Sequence, residues 1–251
     1  MLRFNSNLLS FLRKAGKCFL HVWFPRVCFA CQTDLPYDES QPLCAACRQQ
    51  LTLPGPLICQ RCGVELKSGG AHCFSCRGSK GEQFKCKCIR SAFVFNNSSR
   101  ALVHALKYQG ADYVASFMGQ EMARCYARLP ELSSAQVVVP VPLYPKRRRK
   151  RGYNQSELLA RAFAAQTGLV LDTQCLIRTR DTYSQTQLGR RERLENMSGA
   201  FVCVTPQTIN KKIVLLIDDV ATTGATLEGC ARALRQAGAK RVLAYTFARE
   251  N

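Results

Sequence analysis

From residue 91 onward, the chain alternates between short apolar runs and amphipathic segments. Four apolar runs predict strands, at residues 91–95, 136–139, 213–217 and 242–247. Four further segments predict helices, at residues 98–108, 113–128, 154–167 and 226–237. Gly238 follows the last of them, at the position where glycine commonly ends a helix. Strands and helices that alternate at these lengths predict an α/β fold, with a parallel sheet covered by helices on both faces.

The first part of the chain has cysteine pairs in place of long apolar segments. Eight of the fifteen cysteines form four C-x-x-C pairs, which are Cys28 and Cys31, Cys44 and Cys47, Cys59 and Cys62, and Cys73 and Cys76. Two residues between the thiolates allow both to bind one tetrahedral zinc ion from a tight turn. The spacing therefore predicts two structural Zn2+ sites, each with four cysteines.

The sequence leaves open which pairs share a zinc ion. Sequential pairing encloses a loop of ribbon length in each site and is the arrangement that we favour, while near-equal spacing also permits interleaved pairing. Four disulfides would need an oxidising compartment, so we favour zinc over disulfides. A further C-x-C pair, Cys86 and Cys88, is expected at the edge of a strand more than in a metal site.

We expect three segments along the chain: a basic amphipathic segment at residues 1–25, a double zinc ribbon at 26–85 and a larger domain at 90–251. Arg13, Lys14 and Lys17 interrupt the apolar residues of the first segment, so it lacks the core of a signal peptide. We expect its apolar side to pack against the zinc module, with contact to a membrane surface as the alternative. Because no later apolar run approaches the length of a transmembrane span, we expect a cytoplasmic protein, or one bound peripherally at the inner face of the membrane.

Basic residues outnumber acidic ones by 36 to 17, which gives a formal net charge of +19. This excess predicts a polyanionic partner. The densest basic run ends at Arg151, and such a run attracts phosphate backbones or anionic lipids. Its candidate nucleic-acid residues are Lys146, Arg147, Arg148, Arg149 and Lys150. The alternative for this run is a solvated loop without function.

Two adjacent carboxylates, Asp218 and Asp219, follow the buried run 213–217. Ligands of open α/β sheets bind at the carboxyl ends of the strands, where these residues are expected. The next loop has only small side chains, so its backbone N–H groups can close on an anion at the start of a helix; it comprises Ala221, Thr222, Thr223, Gly224, Ala225 and Thr226. Carboxylates beside a phosphate cradle suit a sugar phosphate, alone or with a divalent metal. A turn capped by Thr or Asp is the plainer alternative.

These residues resemble the 5-phosphoribosyl 1-pyrophosphate (PRPP) motif of type I phosphoribosyltransferases, in which two acidic residues precede a T-G-x-T loop. The stretch VVVPVPLYPKRRRKRGYNQSEL at 137–158, the earlier LKYQG at 106–110, the later QTQL and the cysteine pairs together resemble the ComF family of competence proteins. The resemblance implies a phosphoribosyltransferase-like domain behind a double zinc ribbon. One departure is Thr222, because many base-salvage enzymes carry an aspartate there that accepts a proton from the base.

The resemblance also implies roles for individual residues. Asp218 and Asp219 would hold the ribose hydroxyls, directly or through Mg2+, and the small-residue loop would hold the 5-phosphate. Val141, Pro142 and Leu143 would lie in the pyrophosphate loop, and Arg151 can bind phosphate oxygens. Asn154 is placed to cap the next helix, with or without a ligand role. Residues 178–196, rich in Arg and Gln, would form a hood over the site or a nucleic-acid surface.

Two functions remain open at this level. One is a phosphoribosyltransferase that uses PRPP and Mg2+ with an acceptor that the sequence does not identify. The other is a PRPP-sensing or DNA-binding scaffold without turnover. The resemblance implies DNA uptake in natural competence, with single-stranded DNA and uptake proteins at the membrane as partners, and the positive charge agrees with nucleic-acid binding.

Overall fold

The computed structural model describes residues 23, 25–77, 84–109, 113–181 and 199–250. The strands of these residues are β1 (Cys86–Val94), β2 (Val137–Pro140), β3 (Val170–Leu171), β4 (Leu176–Arg178), β5 (Phe201–Cys203), β6 (Ile213–Ala221) and β7 (Arg241–Arg249). The helices are α1 (Ala45–Gln49), α2 (Phe74–Arg77), α3 (Asn97–Tyr108), α4 (Tyr113–Tyr126), α5 (Pro145–Arg151), α6 (Gln155–Thr167) and α7 (Ala225–Gln236). None of these helices has the length and apolar character that a bilayer span requires.

Five strands form one parallel sheet in the order β1-β7-β6-β2-β3. β6 lies at its centre because its apolar run is buried on both faces. Leu215 and Ile217 contribute to the core under α3, α4 and α6, whereas Val214 and Leu216 contribute to the core under α7. The predicted α/β fold, with a parallel sheet and helices on both faces, is confirmed.

Helix α7 shows how local sequence sets an element boundary. It begins after Gly224, whose φ of 78° lies in the left-handed region, and it ends before Gly238, whose φ is 96°. The N–H of Ala239 donates to Leu234 O at 3.0 Å, and that of Gly238 donates to Arg235 O at 3.2 Å. This pair of bonds is a Schellman motif, so Gly238 ends the helix as its position predicts.

The zinc module covers the edge of β1 that faces away from β7. The Ile89 N–H donates to Arg61 O at 2.7 Å, and the Val94 N–H donates to Thr52 O at 2.8 Å. On the helical side, Arg48 pairs with Glu121 of α4 at 2.7 Å. The ribbon backbone therefore satisfies amides that an uncovered edge strand would present to solvent.

Several elements differ in extent from their predicted ranges. β6 continues to Ala221 and so includes both aspartates, because it pairs with β7 as far as Arg249. β1 begins at Cys86, five residues before the predicted start, since β7 is long enough to pair with it there. The basic run, for which a solvated loop was the alternative, forms helix α5. Pro145 occupies the first turn of this helix, where proline is well tolerated. β4 and β5 form a separate antiparallel ribbon that was not predicted.

Candidate functional site

The two aspartates lie near the carboxyl end of the central strand and are both buried. Asp218 accepts a hydrogen bond of 2.7 Å from the Ser156 hydroxyl at the start of α6, and its Oδ1 also accepts from the Asp219 N–H at 2.9 Å. Oδ2 of Asp219 lies 2.5 Å from Nζ of Lys107, near the end of α3. The side chain of Asp219 is 5% exposed and that of Lys107 is 24% exposed. Among the described residues, Asp219 thus has a cation within ion-pair distance, whereas the contacts of Asp218 are with Ser156 and the Asp219 N–H.

The two carboxyl groups ionise differently. Burial raises the pKa of Asp218 to about 8, and the adjacent Asp219 adds to the increase. Burial also opposes ionisation of Asp219, but the Lys107 ammonium and its hydrogen bond outweigh burial and lower the pKa of this carboxyl. In Lys107, burial is likewise outweighed by Asp219, so the pKa of its ammonium is raised. Near neutral pH, the site therefore holds a Lys107–Asp219 ion pair beside a carboxyl that exchanges a proton easily.

The small-residue loop after β6 leads directly into α7. Ala221 ends the strand, Gly224 takes the left-handed conformation, and Thr223 Oγ1 accepts a hydrogen bond of 3.4 Å from the Ala225 N–H. Thr222 is exposed. The φ of Gly224 lies in the left-handed region that favours glycine, and the Ile89 side chain of β1 lies close to it, since a Cβ there would be 2.8 Å from Ile89 Cδ1. The loop follows the carboxyl end of β6, and the first turn of the twelve-residue helix α7 has backbone N–H groups that lack partners within the helix.

The segment after β2 is connected to the aspartates through Asn154. The Val141 N–H donates to Ile217 O at 2.9 Å, which keeps this segment beside β6. Asn154 Nδ2 donates to Val141 O at 3.0 Å, and Asn154 Oδ1 accepts from the Ser156 N–H at 3.2 Å. Asn154 therefore caps α6 as expected, and it also places Ser156 against Asp218.

The basic helix α5 lies between this loop and α6. It ends at Gly152, whose φ is 88°, and the cations in its last turn interact favourably with the negative end of the helix dipole. Arg147 pairs with Asp181 and Arg148 pairs with Glu157, each at 3.5 Å. Four of the five candidate nucleic-acid residues are exposed, and they are Lys146, Arg148, Arg149 and Lys150.

A cleft of about 420 Å3 separates α5 from the β4–β5 ribbon. Pro142 and Leu143 of the predicted pyrophosphate loop line one side, while Ile177 and Arg178 of β4 line the other. The predicted hood thus begins next to this loop. Most of its polar residues lie outside the described part of the chain, including Gln185, Gln187, Arg190, Arg191 and Arg193.

The cysteine pairs form two clusters in sequential order. One contains Cys28, Cys31, Cys44 and Cys47, and the other contains Cys59, Cys62, Cys73 and Cys76, with all Sγ atoms of a cluster within 4.8 Å of one another. The distances from Cys31 Sγ to Cys44 Sγ and from Cys62 Sγ to Cys73 Sγ are both 3.7 Å. Thiolates around a tetrahedral zinc with bonds of about 2.3 Å would lie roughly 3.8 Å apart, so the donor sets fit structural Zn2+. Cys86 and Cys88 lie apart from them, in β1.

Two residues of the site were not predicted. Ser156 follows the cap that the sequence indicates, but its bond to Asp218 depends on the packing of α6 against β6. Lys107 belongs to the LKYQG stretch that supports the family resemblance, and its contact with Asp219 requires that α3 end above the central strand. Among the predicted residues, Arg151 lies with Lys107 around a separate pocket, whereas Val141 and Pro142 lie on the side of Asn154.

Comparison with known proteins agrees with this organisation. A double zinc ribbon domain model matches residues 19–77, and a phosphoribosyl transferase domain model matches residues 162–251. Competence protein F of Haemophilus influenzae is 27% identical over 227 residues, which cover 88% of this chain and 96% of that protein. DNA utilization protein YhgH of Salmonella typhi is 30% identical over 224 residues, covering 82% of this chain and 96% of the relative. Competence protein ComFC of Streptococcus pneumoniae is 31% identical over 219 residues, covering 84% and 90%. A double zinc ribbon, a phosphoribosyltransferase domain and similarity to these proteins over more than four fifths of its length show that the chain belongs to the ComF family.

Proposed function

We propose that this protein binds PRPP with Mg2+ at the carboxyl end of β6 and binds single-stranded DNA through its basic surface, in the uptake or processing of DNA. The names of its relatives, competence protein and DNA utilization protein, support the biological setting. The observation that carries the PRPP proposal is the pair of buried aspartates beside a small-residue loop and a helix N-terminus.

The ribose and its 5-phosphate match the two halves of this arrangement. Buried carboxylates need a cation or hydroxyl donors to offset their desolvation, and Asp218 has only one described side-chain donor, Ser156. Vicinal ribose hydroxyls, or Mg2+ bound to them, would supply further partners. The 5-phosphate would accept hydrogen bonds from the N–H groups and hydroxyls of Ala221 to Thr226, where the dipole of α7 favours an anion.

The pyrophosphate of PRPP would lie toward the segment after β2. Val141 and Pro142 follow a strand adjacent to β6, so their backbone faces the same end of the sheet. Arg148 and Arg149 of α5 line the same cleft as Pro142, so their charge lowers the cost of bringing a pyrophosphate into this region, whereas Arg151 lies with Lys107 around the other pocket. In an enzymatic reaction, Mg2+ and these cations would also stabilise the charge that develops on the leaving group.

Exposed cations on α5 support the DNA component. Lys146, Arg149 and Lys150 form no ion pair among the described residues, and all three are exposed. Such a surface binds phosphodiesters without reading their sequence. A largely electrostatic interaction with single strands is therefore expected.

Calorimetric titration with PRPP in the presence of Mg2+ tests the ribose site. We expect Asp218→Asn/Asp219→Asn to weaken binding by about 10- to 100-fold, the scale on which two charge-assisted interactions are lost. The matched control is Asp34→Asn/Asp38→Asn, which removes two exposed carboxylates from the first ribbon and should leave binding unchanged. Equal PRPP affinity in both double variants would overturn the assignment.

Turnover separates the enzyme from the scaffold. Thr222 favours the scaffold, because a hydroxyl at this position does not accept a proton from a nucleobase as a carboxylate does. Pyrophosphate release should therefore be measured with PRPP, Mg2+ and a panel of nucleobase, amine and nucleic-acid acceptors. Release that depends on an acceptor and is lost in Asp218→Asn/Asp219→Asn would support a transferase, whereas tight binding without release would support a PRPP sensor or DNA-binding scaffold.

A further inference from the structure

A second pocket, of about 310 Å3, opens between the end of α3 and the basic helix α5. Its lining consists of four cationic side chains and two tyrosine rings, from Lys107, Tyr108, Arg147, Lys150, Arg151 and Tyr153. No carboxylate belongs to this lining as far as the described residues show. The pocket therefore combines positive charge with aromatic surface.

The aromatic part of the lining is partly fixed and partly exposed. Tyr108 is 68% exposed, and the Arg151 guanidinium carbon lies 5.4 Å from the centre of its ring. Tyr153 donates its hydroxyl hydrogen to Leu106 O, which anchors the second ring to α3. A ring and a guanidinium plane at one rim are both surfaces on which a nucleobase can stack.

The cations of the pocket are not equally available. Arg147 pairs with Asp181 at 3.5 Å, and Lys107 pairs with Asp219 at 2.5 Å. Lys150 and Arg151, in contrast, form no ion pair with any described carboxylate, and the described partner of the Arg151 side chain, apart from the Tyr108 ring, is the neutral amide of Gln155. An incoming phosphate would therefore meet Lys150 and Arg151 first.

We propose that this pocket binds one nucleotide unit of single-stranded DNA, with its phosphate on Lys150 and Arg151 and its base on Tyr108, and that Lys107 couples it to the aspartate pair. The proposal rests on the DNA component of the proposed function and assigns it a site. Two aromatic rings among the cations favour a nucleic acid over a polyanion without bases.

The coupling follows from the position of Lys107 in both sites. Its ammonium neutralises Asp219, and the residue also belongs to the lining of the cationic pocket. A bound phosphate attracts this ammonium away from Asp219, so the carboxylate becomes free for Mg2+ or ribose hydroxyls. Because linkage is reciprocal, DNA should raise the affinity for PRPP by the same factor by which PRPP raises the affinity for DNA, about fivefold or more.

Fluorescence anisotropy with a labelled oligothymidylate of about 15 nucleotides, roughly the upper end of single-strand site sizes, tests the site. Lys150→Gln and Tyr108→Ala should each weaken binding about tenfold, whereas Tyr108→Phe, which keeps the ring, should bind like the parent protein. Lys240→Gln is the matched control, since Lys240 is an exposed lysine next to the amino end of β7 and lies outside both the pocket and the basic helix. Its effect should stay within about twofold.

The outcomes separate this inference from the proposed function. If the parent protein binds no single-stranded DNA, the DNA function and this site both fail, while PRPP binding is unaffected. If DNA binds but Lys150→Gln and Tyr108→Ala match Lys240→Gln, only the pocket assignment fails. Equal competition by inorganic polyphosphate and by oligothymidylate of the same charge, with no effect of Tyr108→Ala, would identify a general polyanion site and overturn the nucleic-acid assignment.

The coupling has its own test in the PRPP affinity measured with and without oligothymidylate. We expect tighter PRPP binding with the oligonucleotide, and we expect Lys107→Gln without DNA to reach a similar affinity because Asp219 is already released. Unchanged or weaker PRPP binding by the parent protein in the presence of DNA would overturn the coupling. So would weaker PRPP binding by a folded Lys107→Gln variant, which would make Lys107 a PRPP ligand.

Discussion

The Ser156 hydroxyl donates a 2.7 Å hydrogen bond to Asp218 Oδ1, although 62 positions separate the two residues in the chain. Asn154 caps α6 and holds the segment after β2, and in doing so it brings the first turn of α6 to the end of the central strand. The bond favours the ionised form of Asp218 against the effect of burial. Ser156 is therefore placed to orient one of the two carboxylates.

Substitution of Ser156 tests this orienting role. In Ser156→Ala, Asp218 loses a donor to its charged form, so we expect PRPP affinity in Mg2+ to fall about tenfold, equivalent to roughly 1.4 kcal/mol. Ser133→Ala, which removes a hydroxyl whose bond is to Pro130 O in an exposed turn, is the control and should have no effect. Calorimetry of both variants checks the prediction, and equal affinities would contradict it.

Asp218 also predicts an unusual dependence of stability on pH. Burial and then Asp219 raise its folded-state pKa from 3.8 to about 8, so the folded protein retains a proton that the unfolded chain releases. This contribution to stability is complete below about pH 4 and is lost as the pH rises through about 8. Asp218→Asn cannot ionise, so its melting temperature relative to that of the parent should increase by a few degrees between about pH 5 and about pH 8.5.

Asp172 provides a control of opposite sign. Burial would raise its pKa, but a hydrogen bond from Thr208 and others from the backbone of Gln174 and Cys175 outweigh burial and lower it. Ionised Asp172 therefore stabilises the folded protein above the unfolded pKa, and this stabilisation is lost as the pH falls through the folded pKa. Asp172→Asn should be less stable than the parent near neutral pH and equally stable in acid. Thermal denaturation over the pH range checks both variants, and parallel pH curves for Asp218→Asn and the parent would refute the Asp218 prediction.

The sequence predicted the layers of the fold because they depend on local periodicity. The run at 213–217 and the helix that Gly238 ends are both present, since an apolar strand and a glycine C-terminus are local signals. The extension of β6 to Ala221 depends on pairing with β7, which no local pattern reveals. The two-residue strand β3 and the β4–β5 ribbon are too short to give a periodic signal.

The candidate site was predictable only in part, for a related reason. Asp218 and Asp219 stand out because adjacent carboxylates are rare in so basic a chain, and the cysteine spacing indicates the metal ligands directly. Lys107 and Ser156 are common residue types on helix termini, where solvent exposure is the ordinary expectation. Their contacts with the aspartates follow from the packing of α3 and α6 over the sheet.

Thr223 separates the phosphate cradle from the pyrophosphate side. Its hydroxyl accepts from the Ala225 N–H and is placed to donate to a bound phosphate, so Thr223→Val removes both interactions. We expect affinity for ribose 5-phosphate and for PRPP to fall together, by about fivefold to tenfold, while Thr223→Ser keeps the hydroxyl and retains the affinity of the parent. Competition calorimetry with both ligands checks this, and loss of PRPP binding alone would place Thr223 near the pyrophosphate instead.

Zinc content gives a direct test of the two cysteine clusters. We expect about two equivalents of zinc per chain, and we expect Cys28→Ser and Cys59→Ser each to lose about one, because each removes one ligand of a tetrahedral set. Cys88→Ala should retain both, since Cys88 is buried in β1 away from the clusters. Elemental analysis of protein purified without chelators checks the counts, and two equivalents in Cys28→Ser would show that this residue is not a required ligand.

Removal of zinc should also affect the sheet, and unequally across its strands. In the second ribbon, Arg61 O accepts a hydrogen bond from the Ile89 N–H. Thr52 O, in the segment between the two ribbons, accepts a hydrogen bond from the Val94 N–H. A Cβ on Gly63 would lie 2.5 Å from Ile89 O, so the turn that follows Cys62 is in close contact with β1.

Because zinc supplies much of the stability of so small a module, chelation should uncover β1 and leave β2 and β6 paired. Hydrogen exchange should then increase in peptides that cover β1 while those covering β6 remain protected, with aggregation promoted by the open edge. Equal protection of β1 with and without chelator would show that the sheet edge does not depend on the metal.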